Sequence, residues 1–142
     1  MRFLALFLMS LTITSAAPHA AGKTNIERIV TPMGIEVWLV RETNLPMLSF
    51  EFAFLGGAAQ DPAEKPGVAS LVAGLLDEGA GSLDARTFHE QLEERAIGLS
   101  FGTGRDTFRG SLKTLSENRD KAFELLSLSL TAPRFDNGEI ER

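Results

Sequence analysis

Residues 47–80 read MLSFEFAFLGGAAQDPAEKPGVASLVAGLLDEGA, and the hydrophobic period changes midway. From Met47 to Phe54 the pattern alternates: Leu48, Phe50, Phe52 and Phe54 share one strand face, with Met47, Ser49, Glu51 and Ala53 on the other. Gly56-Gly57 ends the strand, and Asp61 to Pro66 is a polar loop containing two prolines. Beyond it Val68, Leu71, Val72, Leu75 and Leu76 fall at i, i+3, i+4, i+7 and i+8, the spacing of one helix face turned to a core. Ser70, Ala73, Gly74 and Asp77 fall opposite that face, and Gly79 is placed to close the helix.

The flanks extend this strand-then-helix unit. Upstream, Ile26 to Thr31 and Ile35 to Arg41 are strand-like runs around Pro32-Met33-Gly34, which is hairpin punctuation. Downstream, Asp84 is placed as the N-cap of a second helix that buries Ala85, Phe88, Leu92 and Ala96. Leu99 to Phe101 and Asp106 to Lys113 read as strands separated by Gly102-Thr103-Gly104. Ser116 can cap a third helix burying Phe123, Leu126 and Leu130 and stopping before Pro133. Three strands, two helices, two strands and a helix give an α+β fold, an antiparallel sheet with helices packed on one side.

Composition narrows the function. The chain has 142 residues, 44% of them hydrophobic, and a net charge of −5 without a Lys/Arg cluster, which disfavours nucleic acid and anionic membranes as partners. It has no Cys, so disulfides, thiolate metal sites and thiol nucleophiles are excluded. Arg2, the apolar run Leu4 to Ile13 and the small residues Ala16, Ala17, Ala20 and Ala21 describe a secretory signal peptide over residues 1–22, cleaved between Ala17 and Gly22. The run is short for a bilayer span. The mature chain is expected to be secreted, periplasmic in a Gram-negative cell, and free of the membrane after cleavage. Asn137 to Arg142 reads as a helix beginning, so residues 23–142 are expected to be a domain truncated at its C-terminal end.

An ordered set of local signatures runs through the mature chain: Gly34 to Val40, then Leu45-Pro46, then the phenylalanine-rich strand ending at Gly56-Gly57. Gly67-Val68-Ala69 opens the helix and Glu78-Gly79-Ala80 closes it. Phe88 to Glu93, then Thr103, Asp106 and Phe108, then Leu130, Pro133 and Phe135 follow. This set resembles the N-terminal half-domain of the insulinase/pitrilysin-like (M16) peptidases. In active members the apolar helix carries H-x-x-E-H, whose two histidines, one turn apart, present imidazoles to one Zn²⁺. The glutamate beside them takes a proton from the zinc-bound water.

Here Ser70, Ala73 and Gly74 stand at the first His, the Glu and the second His. Three donor groups are absent together, and past the signal region His89 is the sole histidine. No catalytic or metal-binding residue is therefore assigned, and the chain is expected to hold no cofactor of its own. The resemblance implies the non-catalytic type of the family. Such a chain pairs with a zinc-bearing M16 subunit, where the zinc is expected, and helps form a peptide-binding chamber. Two alternatives stand beside it: a zinc metalloendopeptidase whose ligands lie outside this stretch, and a solo periplasmic peptide-binding or chaperone-like protein. Ser70, Ala73, Gly74 and Asp77 form either a face for a partner or peptide, or a helix side that kept whatever fits after losing its metal.

Ser100-Phe101-Gly102-Thr103 lies where the family shows Asn-Ala-x-Thr, which implies an edge strand that takes substrate by main-chain pairing. Phe101 is bulkier than alanine, so a narrower cleft is expected there. The plainer reading is an ordinary sheet strand. His89 and Glu93 are an i, i+4 pair, but two ligands fall short of a zinc set and a solvated helix flank explains them. Asp77 and Glu78 point about 100° apart on a helix, a poor general acid/base pair.

Overall fold

The computed structural model describes residues 25–142, so the signal-peptide reading of residues 1–22 lies outside the described residues. The described chain falls into two compact units that divide after Glu42. The first is a hairpin of β1 (Ile26–Val30) and β2 (Glu36–Val40), antiparallel, with Ile26 opposite Val40 and Val30 opposite Glu36. Its turn closes where Pro32-Met33-Gly34 predicts: the Gly34 amide donates to the Thr31 carbonyl at 2.9 Å and the Thr31 hydroxyl accepts from the Ile35 amide at 3.0 Å. Arg28 pairs with Glu36 across the strands at 2.7 Å, and the Trp38 indole donates to the same carboxylate at 2.6 Å.

The second unit, Thr43–Arg142, contains a three-stranded antiparallel sheet in the order β3-β5-β4, from β3 (Met47–Leu55), β4 (Gly98–Thr103) and β5 (Thr107–Leu115). The described strands thus divide between two sheets. The α+β class stands, with helices α1 (Val68–Leu75), α2 (Ala85–Glu94), α3 (Arg119–Thr131) and the short α4 (Asn137–Ile140). The register places Phe50 and Leu99 on either side of Leu112, and Phe52 and Phe101 on either side of Gly110. This is the inner face. Phe88 and Leu92 from α2, and Ala122, Leu125 and Leu126 from α3, join Leu99 and Leu112 in one buried cluster, with Phe50, Phe52, Phe101 and Phe123 packed around it. The outer face, Ser49, Glu51, Ala53, Arg109 and Lys113 with Gly98, Ser100 and Gly102, is exposed.

Gly57 joins the end of β3 to the β4–β5 turn. Its φ is +133°, and a Cβ there would lie 2.5 Å from the Gly104 carbonyl oxygen. That close approach lets the Ala58 and Ala59 amides donate to the Gly104 and Arg105 carbonyls at 3.0 and 2.8 Å.

The helix faces correct three expectations. In α3 the buried stripe is Ala122, Leu125, Leu126 and Ser129, while Leu130 is exposed. Ser116 does not cap that helix: it opens a 3-10 turn over Ser116–Asn118. Asn118 occupies the cap position of α3, but its amide donates to the Arg95 carbonyl at 2.8 Å, at the end of α2. Asp84 caps α2 as predicted, accepting from the Thr87 amide at 2.8 Å, and this bonding, with the Thr87 hydroxyl first, holds its carboxyl below the usual carboxylate range. Ala96 is exposed rather than buried, with φ +50°, because it makes the left-handed reversal after α2. The Ala96 and Ile97 amides return to the Glu93 and Leu92 carbonyls at 3.1 and 2.9 Å, a Schellman closure that places Ile97 in the core.

Candidate functional site: helix α1 and the edge strand β4

Gly67 precedes α1 and has no side chain to cap it. Asp61 reaches in from the preceding loop instead, its two carboxylate oxygens accepting from the Gly67 and Ala69 amides at 2.7 and 2.8 Å. The negative charge also sits at the positive end of the helix. The sequence shows Asp61 only as part of a polar loop, because a cap acting from six residues upstream has no fixed spacing to search for. Asp61→Ala is expected to destabilise the protein by about 1–2 kcal/mol, the usual worth of a side-chain cap. The loss is read as a lower urea midpoint at unchanged m-value.

Of the four positions assigned to the exposed side of α1, Ser70 and Gly74 are exposed, Asp77 is half-buried, and Ala73 is 5% exposed. Ala73 therefore does not belong to a partner or peptide face. Conversely Leu71, assigned to the core, is 49% exposed and Val68 38%. The buried stripe is Ala73 and Leu76 with Leu75, flanked by half-buried Ala69 and Val72. At the helix end, burial pushes the Asp77 carboxyl up, against its own backbone amide; the Glu78 charge adds to the rise and His89 opposes it.

Ser70, Ala73 and Gly74 offer one hydroxyl and no imidazole or carboxylate, a donor set that does not fit zinc. Among the described residues no group of three or more His, Cys, Asp or Glu is placed to hold a metal ion. His89 does not face Glu93 as a ligand pair: its Nε2 lies 2.9 Å from the Asp77 carbonyl oxygen and 3.8 Å from Glu78, tying α2 to the end of α1.

The Ser100–Thr103 segment lies on β4, which pairs with β5 on one side, is an edge of its sheet among the described residues, and has α1 packed close to it. Phe101 points to the inner face, its ring 6.5 Å from that of Phe52 and 6.1 Å from that of Phe108. Its bulk therefore fills core space and does not narrow a cleft on the outer face. Thr103 directs its hydroxyl to the Gly104 carbonyl at 3.1 Å, which holds the turn. On the outer face Ser100 and Gly102 are exposed, and a shallow hollow lined by Gly102, Thr103, Gly104, Thr107 and Arg109 opens at the end of the strand. β4 thus combines an edge position among the described residues with an exposed outer face and an inner face packed against Phe52 and Phe108.

No protein-family model matches the chain. It is 34% identical over 98 residues to the non-peptidase homolog YmxG of Helicobacter pylori, a match covering 69% of this chain and 23% of that protein. Among solved structures, the inactive domain of a Pseudomonas fluorescens M16 peptidase superposes with a TM-score of 0.73 at 28% identity, over 80% of this chain and 28% of that one. A Helicobacter pylori protease shares the fold, with a TM-score of 0.67 at 20% identity over 82% of this chain and 28% of that one. The chain thus spans less than a third of each of these relatives. A fold shared with an M16 inactive domain and a sequence shared with a non-peptidase homolog meet a helix whose motif positions carry no zinc donors, and on those grounds the chain is M16-like in fold and sequence.

Proposed function

We propose that this chain is the non-catalytic partner of a zinc-bearing M16 endopeptidase subunit, that it lends β4 to the peptide-binding chamber of the pair, and that it works in the periplasm after removal of residues 1–22. The carrying observation is an edge strand open to pairing beside a helix that has lost its metal donors. Such a chain retains the means to hold an extended peptide by main-chain bonds while leaving the cleavage chemistry to its mate.

The test combines the purified full-length chain with a zinc-bearing M16 chain encoded in the same genome. Each is assayed alone and together on an internally quenched peptide, and the zinc of each is measured. Cleavage by the pair is expected to exceed that of the zinc chain alone by about a hundredfold, the order that substrate positioning supplies. About one tightly held zinc on the present chain alone, or no gain on mixing, overturns the reading. Amino-terminal sequencing of the exported protein checks the location: a start between Ala17 and Lys23 supports it, and an intact Met1 in the cytoplasm refutes it.

A further inference from the structure

The register of the sheet places Gly102 of β4 beside Arg109 and Gly98 beside Lys113, with Ser100 beside Ser111 between them. Arg109 and Lys113 are exposed on the outer face, and no ion pair engages either among the described residues. Glu51 is the one carboxylate on that face of the sheet, and it accepts from the Ser111 hydroxyl at 2.7 Å rather than pairing with either cation. The two glycines leave the way from the cations to the open edge unobstructed: a Cβ at Gly102 would meet nothing within 4 Å, and Arg109 itself lines the hollow there. Two unpaired cations on one face are notable in a chain of net charge −5.

Resting on the reading of β4 as a peptide-binding edge, we infer that Arg109 and Lys113 give that edge a preference for acidic peptides, with carboxylates at two positions four residues apart. A peptide strand added to β4 lies about 10 Å from β5, two strand spacings away. Extended arginine or lysine and glutamate side chains close that gap between them when no β4 side chain intervenes. Residues 109 and 113 stand about 13 Å apart along the strand, which matches peptide side chains i and i+4 on the same face. The residue at i+2 meets Ser100 and Ser111, so it carries no charge requirement.

The probe is a fluorescein-labelled octapeptide of alternating Val and Thr with Glu at its third and seventh positions, compared with the same peptide carrying Gln at both. Binding to the full-length chain is followed by anisotropy. The Glu peptide is expected to bind about fivefold tighter at low salt, the worth of two exposed charge pairs, and the difference should shrink in 0.5 M salt. In Arg109→Gln/Lys113→Gln the two peptides should bind alike, and in Arg109→Glu/Lys113→Glu the preference should pass to a peptide with Lys at those positions. Equal binding of the Glu and Gln peptides to the native chain overturns this inference and leaves the peptide-binding edge standing. Failure of both to bind overturns the edge reading and this inference with it.

Discussion

Phe88→Ala is expected to lower the stability of the Thr43–Arg142 unit by about 3–5 kcal/mol, the range for removing a fully buried phenylalanine. Phe88 is 0% exposed and is among the largest side chains wholly enclosed in the unit. It is held by α2, whose start is fixed by the Asp84 cap and whose end is fixed by the Ile97 return to Leu92. With both ends pinned, the helix cannot slide to fill the void, so the cavity cost adds to the transfer cost. The loss is a large part of the roughly 5–15 kcal/mol that holds a typical domain folded. Urea unfolding followed by far-ultraviolet circular dichroism measures it, since the helices lie in this unit. Leu71→Ala is the matched control: with Leu71 49% exposed, its truncation should cost less than about 1 kcal/mol. Similar losses for the two would mean that α1 and α2 pack otherwise than described.

That contrast also marks where sequence reading succeeds. The β1–β2 turn, the alternation of β3 and the α2 cap are local: each depends on residues within a few positions of one another, and each is found where expected. The buried faces of α1 and α3 are not local. In both helices small residues, Ala73 in one and Ala122 and Ser129 in the other, lie against the interior. Reading the bulkiest apolar residues as the core turns each helix by about one position, roughly 100°. It assigns Leu71 and Leu130 inward although they are exposed, and Ala73 outward although it is buried. Size at a helix–sheet contact is set by how near the two elements come, which composition does not reveal.

The candidate site divides in the same way. Loss of the zinc motif is visible in the sequence because it is a spacing rule within one helical turn, and it survives the rotation of the helix since no donor atoms exist at Ser70, Ala73 or Gly74 that could ligate zinc as a set. The edge position of β4 is different. It depends on β5, later in the chain, taking the centre between β3 and β4. The β4–β5 register sets Arg109 beside Gly102 and Lys113 beside Gly98, and the strand order leaves β4 outermost, so two cations that look like ordinary strand residues become neighbours of the edge.

The centre of the sheet supplies the second large expected effect. Gly110→Val should destabilise the unit by about 3 kcal/mol, the upper part of the usual overpacking range. A Cβ at Gly110 would lie 2.2 Å from Phe52 Cζ, 2.5 Å from Cε1 and 2.9 Å from Cε2, so the ring must leave its place over the glycine. It has little room to do so, with the rings of Phe54, Phe50 and Phe101 centred 5.4, 5.7 and 6.5 Å away. Strand preference alone argues the other way, since valine favours strands over glycine by up to about 1 kcal/mol. The sign of the measured change therefore decides between the two effects. Combining Gly110→Val with Phe52→Ala should restore part of the loss, a coupling of about 1 kcal/mol or more in a double-mutant cycle, because the second change removes the atoms that collide. Additive losses would place the Phe52 ring elsewhere. Because Phe101 of β4 flanks the same glycine from the other side, displacing this layer should also loosen the edge strand, and the peptide binding proposed for β4 should weaken in Gly110→Val even under conditions where the variant remains folded.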